Sequence, residues 1–115
     1  MTGALTTHVL DTAHGAPAAG VEVMLCDASG NEITRGTTNA DGRLDAPILA
    51  GDAFRTGRYV LEFAVGDYYR RIGVALPDPA FLDVVVIAFG IADEAAHYHV
   101  PLLISPYGYS TYRGS

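Results

Sequence analysis

The chain has 115 residues, 50% of them hydrophobic and 17% charged, which fits one globular domain and excludes a disordered segment. Its net charge of -6 excludes the basic face that nucleic-acid binding requires. Every cation is an arginine, so Schiff-base chemistry and any catalytic lysine are excluded as well. The low charge fraction leaves little polar covering and implies apolar surface buried against other subunits.

Leu5 to Asp11, rich in threonine and valine, reads as a first strand ending at the turn-like cluster Thr12-Ala-His-Gly-Ala-Pro17. Val21, Val23 and Leu25 alternate with Glu22 and Met24, which predicts one buried strand face. Cys26, the lone cysteine, extends that apolar run and is expected to be a buried, inert thiol. Asp27-Ala-Ser-Gly-Asn31 is a hairpin turn, Glu32 to Thr38 a strand, and Asn39-Ala-Asp-Gly42 the next turn. Arg58 to Val65 carries Tyr59, Leu61 and Phe63 on one face. Gly66 to Gly73 is the one short helix. Leu82 to Phe89 is apolar on both faces, a pattern expected of a strand covered twice. Tyr98 to Ile104 and Tyr107 to Arg113 complete seven or eight short strands. The fold class is therefore all-β, a two-sheet sandwich with Greek-key connections and one short helix, in one domain over residues 1–115. The longest apolar run, Phe81 to Ala92, contains Asp83 and is too short to span a bilayer. No apolar leader opens the chain, so a cytoplasmic protein away from membranes is expected.

Histidines occur at positions 8, 14, 97 and 99. On a strand, His97 and His99 point to the same face and can share a proton or grip one substrate. His8 stands mid-strand, either as a half-exposed, hydrogen-bonded residue or as a working imidazole. His14 lies in a turn and is given no role. His-x-His with a third histidine is one possible zinc set, but no carboxylate or cysteine stands at a tight ligand spacing. Arg43 either pairs with its neighbour Asp41 or holds a carbonyl-rich ligand with its planar fork. The tail after Ser105-Pro106 concentrates tyrosines, hydroxyl residues and Arg113, and the free carboxylate of Ser115 is expected to join that cluster. No nucleophile elbow, P-loop, dinucleotide fingerprint or Cys-x-x-Cys is present. An enzyme built from these groups would activate water by acid-base catalysis.

Three blocks carry a family resemblance. They are Leu5-Thr-Thr-His-Val-Leu-Asp-Thr12 with Gly15 and Pro17-Ala18, then Thr38-Asn-Ala-Asp-Gly-Arg43, then His97-Tyr-His-Val through Ser105-Pro-Tyr-Gly-Tyr-Ser-Thr-Tyr-Arg-Gly-Ser115. The chain resembles the 5-hydroxyisourate hydrolases, the transthyretin-like enzymes of purine breakdown, whose mark is a terminal Tyr-Arg-Gly-Ser. Transthyretin, the hormone carrier, shares the fold but lacks that ending. The resemblance is weakest over residues 46–57 and 65–96.

The resemblance implies a transthyretin-like sandwich assembled as a homotetramer, a dimer of dimers, with active sites built from more than one subunit. It implies hydrolytic ring opening of 5-hydroxyisourate to 2-oxo-4-hydroxy-4-carboxy-5-ureidoimidazoline, with no metal or organic cofactor. It matches catalytic roles to His8, Arg43, His99 and Ser115. Substrate contacts would come from His8, Arg43, His97, Tyr112, Arg113 and Gly114. His8 or His99 would take a proton from water, Arg43 would stabilise the oxyanion, and the other imidazole or Ser115 would protonate the leaving nitrogen. Two other readings stand beside this one: a carrier for small aromatic ligands, and a zinc-binding structural protein.

Overall fold

The computed structural model describes residues 3–114. Nine strands and one α-helix form two facing sheets. The strands are β1 (Ala4–Asp11), β2 (Ala16–Pro17), β3 (Glu22–Asp27), β4 (Glu32–Thr37), β5 (Leu49–Ala50), β6 (Gly57–Phe63), β7 (Val85–Ile91), β8 (His97–Ser105) and β9 (Gly108–Thr111). One sheet has the order β2-β1-β8-β9, with β5 also pairing with β1, and the other has the order β4-β3-β6-β7. The chain leaves the first sheet after β2, builds the whole of the second with a brief return at β5, and comes back for β8 and β9. Strand β8 therefore lies parallel to β1, while every other pairing is antiparallel. The all-β two-sheet sandwich with one short helix agrees with the sequence reading.

Strict alternation builds the core. Leu5 and Val9 of β1, Val23 and Leu25 of β3, Leu61 and Phe63 of β6, and Leu102 and Ile104 of β8 are fully buried between the sheets. Burying each such side chain stabilises the fold by about 1.5–3 kcal/mol. The same alternation turns Ala4, Thr6, His8 and Leu10 to the outer face of β1, where they are half-buried. The strand that builds the core thus also presents the site. Cys26 is buried, as expected, and its burial pushes the thiol pKa up, with the Glu62 carboxylate adding to the shift.

Helix α1 (Val65–Arg71) begins one residue before the expected glycine boundary and packs Val65, Tyr68 and Tyr69 inward. Both tyrosine hydroxyls donate to Asp11, at 2.8 Å each. Asp11 also accepts from the backbone N–H groups of Ala13 and His14, and from His14 Nδ1 at 2.7 Å. Burial alone would raise this carboxyl's pKa, but the bonds from Tyr69, Tyr68 and His14 outweigh it and hold it below the ordinary value. The Tyr68 hydroxyl is pushed up to about 12 by burial and by Asp11, and Tyr69 shifts in the same direction. His14 is thus part of the fastening between helix and sheet.

Two readings of the sequence need correction. The strand in the run from Leu82 to Phe89 is Val85–Ile91, and within the single chain it is covered on one face, with Val85, Ile87 and Ile91 buried and Val86 51% exposed. It is the outermost strand of its sheet. Its start is delayed because the Asp83 carbonyl accepts the Gly66 N–H at the helix start. The two-residue strands β2 and β5 were also not expected, because two residues show no alternation. No helix among the described residues is long and apolar enough to cross a membrane.

Candidate active site

The parallel pairing of β1 with β8 sets the geometry. In its register Ala4 lies beside His97, Thr6 beside His99 and His8 beside Pro101. On the far side of β1, an isolated antiparallel bridge joins His8 to Arg43. On the far side of β8, another joins His99 to Gly114, whose N–H donates to the His99 carbonyl at 2.7 Å. Four chain segments therefore bring Arg43, His8, Thr6, His97, His99 and Gly114 onto one face of one sheet.

The turn before Arg43 explains its position. Asn39 Oδ1 accepts from the N–H groups of Asp41 and Arg43, and the Asn39 N–H donates to the Arg43 carbonyl at 2.7 Å. Gly42 has φ of 75°, and its carbonyl accepts the Val9 N–H at 2.8 Å. A Cβ on Gly42 would overlap the Val9 carbonyl oxygen. Only glycine lets this turn press against β1 and set Arg43 beside His8. Among the described residues Arg43 makes no ion pair with Asp41. The Asp41 carbonyl instead accepts from His8 Nε2 at 2.9 Å. A carbonyl only accepts, so His8 carries a proton on Nε2, and the neutral ring has its lone pair on Nδ1.

His97 Nε2 and His99 Nδ1 both lie 2.8 Å from Thr6 Oγ1. The two rings share a face, as their spacing predicted. The His99 pKa is lowered by burial, and the positive charges of Arg43, His8 and His97 add to the shift. His99 is consequently a neutral imidazole at neutral pH, able to take a proton. Thr6, Thr7, Arg43, Leu44, Ala46, His97 and His99 line an open hollow of about 440 Å³, within the size range of small-molecule sites. His8 stands beside this hollow, next to Arg43.

The tail divides. Gly114 lies against the His99 ring: a Cβ there would come within 2.7 Å of Cδ2. Arg113 turns the other way, with its guanidinium 3.9 Å from the Tyr98 ring centroid and a donated bond to the His97 carbonyl at 3.3 Å. Tyr112, 61% exposed, and Arg113 line a second, smaller hollow with Ile87, Phe89 and Val100, between β7 and β9. Within one chain, Tyr112 and Arg113 line this second hollow and not the one that the imidazoles of His97 and His99 face, and Arg113 reaches His97 only at its backbone carbonyl. Ser115 lies outside the described residues. Thr6 was not singled out from the sequence, because its place depends on a parallel register that no local pattern reveals. The cue available was its position two residues before His8, on the same strand face. Among the described residues, no three His, Cys, Asp or Glu side chains are grouped to hold a metal ion.

Residues 5–114 match the model of the HIUase/Transthyretin family. The chain belongs to that family. It is 64% identical to the 5-hydroxyisourate hydrolase of Mesorhizobium japonicum, over 98% of this chain and 93% of that protein. The structure of Klebsiella pneumoniae 5-hydroxyisourate hydrolase superposes with a TM-score of 0.83 at 39% identity, covering 97% of this chain and 99% of that one. Sparus aurata transthyretin superposes equally well, with a TM-score of 0.83, but at 28% identity over 96% of this chain and 95% of that one. Backbone shape alone therefore does not separate the named hydrolase from the transthyretin.

Proposed function

We propose that this chain is a hydrolase that opens the ring of 5-hydroxyisourate to the ureidoimidazoline, through a site on the outer face of β1 and β8 in a single domain. The observation that carries this reading is that Arg43 and a neutral His99 line one hollow, with His8 beside it next to Arg43. The 64% identity to a named hydrolase, against 28% to a transthyretin, supports it over a carrier.

In the proposed mechanism, His99 takes a proton from water as the water attacks the ring carbonyl. The Arg43 guanidinium stabilises the developing oxyanion with a fixed charge that needs no reorganisation. His8 is bonded through Nε2 to a backbone carbonyl, which fixes the ring in one orientation beside Arg43. The leaving nitrogen receives a proton from His8 or from Ser115. His97 and Gly114 complete the wall around the substrate. Tyr112 and Arg113 serve the site of a neighbouring subunit in a homotetramer. The apolar rings and side chains exposed along the two sheet edges, Val86 at 51%, Tyr109 at 47% and Tyr112 at 61%, support such an assembly. A free, buried Cys26 fits the reducing conditions of the cytoplasm.

The test is the ultraviolet decay of 5-hydroxyisourate generated in situ from urate. The chain is expected to accelerate decay well above the spontaneous rate. Decay at the spontaneous rate, with saturable ligand binding, would establish a carrier instead.

A further inference from the structure

We infer that Thr6 is a positioning residue whose hydroxyl links His97 to His99 as a one-oxygen proton relay. The inference rests on the proposed hydrolase reading for its role in turnover, but the hydrogen-bonded bridge can be tested without substrate.

Thr6 Oγ1 lies 2.8 Å from His97 Nε2 and 2.8 Å from His99 Nδ1. A hydroxyl has one hydrogen to donate and two lone pairs to accept with. It cannot satisfy two bare ring nitrogens at once. If His99 is to take a proton from water through Nε2, its neutral ring must carry hydrogen on Nδ1. That N–H then donates to Thr6 Oγ1, and the Thr6 hydrogen is left to donate to a bare His97 Nε2. The bridge therefore runs in one direction at rest, from His99 through Thr6 to His97, and it fixes the tautomer of both rings.

The same bridge can move charge. When water gives a proton to His99 Nε2, the Nδ1 hydrogen passes to Thr6 Oγ1 and the Thr6 hydrogen passes to His97 Nε2. Three N–H or O–H bonds form as three break, and Thr6 regains its starting composition. The net result is one proton on His97 and a neutral His99. The reverse passage returns the proton to His99 Nε2, which gives it up to restore the group that protonated the leaving nitrogen, so none is left over after turnover. The direction has a physical reason. His99 is half-buried and faces Arg43, His8, His97, Thr6 and the Gly114 backbone, whereas His97 is exposed to water. A positive charge is better placed on His97 than on His99.

The experiment compares wild type with Thr6→Val and Thr6→Ser. Valine keeps the shape and strand preference of threonine but removes the hydroxyl. In Thr6→Val, kcat is expected to fall at least about tenfold with KM little changed, within the range of acid-base contributions. Thr6→Ser is expected to recover most of it. The solvent deuterium dependence of kcat should be curved in wild type, as several protons move together, and linear in Thr6→Val. Nitrogen-15 spectra of the resting wild-type protein, above the titration range of its imidazoles, provide the arm that needs no turnover and no variant. They should show hydrogen on His99 Nδ1 and a bare His97 Nε2. Two hydrogen-bearing nitrogens facing Thr6, or an unchanged kcat in Thr6→Val, would overturn the relay. A wild-type chain with the expected spectra but no turnover would overturn the hydrolase reading and leave the hydroxyl bridge standing.

Discussion

Gly114→Ala tests whether the tail holds His99 in place. The Cβ added at this position would lie 2.7 Å from His99 Cδ2 and 3.3 Å from Cβ and Cγ of the same ring. Carbon pairs prefer separations of roughly 3.5–4.0 Å, so the shortest contact is about 0.8 Å too close. The Gly114 N–H is bonded to the His99 carbonyl at 2.7 Å, so the backbone of the tail cannot simply retreat. The ring must swing instead, toward Thr6. A misplacement of about 1 Å in a reacting group can cost about 100-fold in rate. Gly114→Ala is therefore expected to lower kcat/KM for 5-hydroxyisourate by roughly 10- to 100-fold. Gly108→Ala is the control, because its Cβ would meet only Ser105 Oγ, at 3.6 Å, and its activity should match wild type. Both variants should melt close to wild type, since neither position is in the core. Unchanged turnover in Gly114→Ala, with the fold intact, would refute the claim that the tail positions His99.

Two further outcomes follow from the buried titratable groups. A depressed histidine pKa places the acid limb of kcat/KM below pH 6.5, since activity is lost as His99 gains a proton on acidification. In Arg43→Ala the acid limb of the residual activity should move to higher pH, because burial still disfavours the charged ring but one of the positive charges opposing its proton is gone. A limb centred above pH 7 in wild type would contradict His99 as the base. Asp11→Asn should destabilise the fold by about 1–3 kcal/mol at pH 7, read from urea midpoints at one protein concentration. A depressed carboxyl contributes stability above its unfolded value of 3.8 and loses it as pH falls through its lower folded value. The gap between variant and wild type should therefore narrow as pH falls below 3.8, and equal midpoints at pH 7 would refute the fastening role of Asp11.

Most of the sandwich was legible because alternation is a local property. Val21, Val23 and Leu25, and again Tyr59, Leu61 and Phe63, declare their inward face within a few residues. The site was legible as a set of residue types: His8, Arg43, His97 and His99 stand out for their chemistry, and the three blocks of the resemblance contain them. What the sequence could not convey was pairing between distant segments. Thr6 meets His99 across 93 positions of chain, and Asp11 meets Tyr69 across 58. Neither contact leaves a local trace. The tail was read as one cluster, but beyond the end of β9 Gly114 bridges to His99 while Arg113 turns to Tyr98. The double covering expected of Leu82 to Phe89 is absent within one chain, because composition reports what a surface prefers and not which chain supplies the cover.

The proposed role of Arg43 is to act in the transition state beside a neutral imidazole, and steady-state turnover of 5-hydroxyisourate by wild type and Arg43→Ala tests it most directly. Wild type is expected to accelerate decay, and Arg43→Ala to lose about 100- to 1000-fold in kcat with a much smaller change in KM. Full turnover in Arg43→Ala with only a raised KM would contradict the account, reducing Arg43 to a substrate-binding residue.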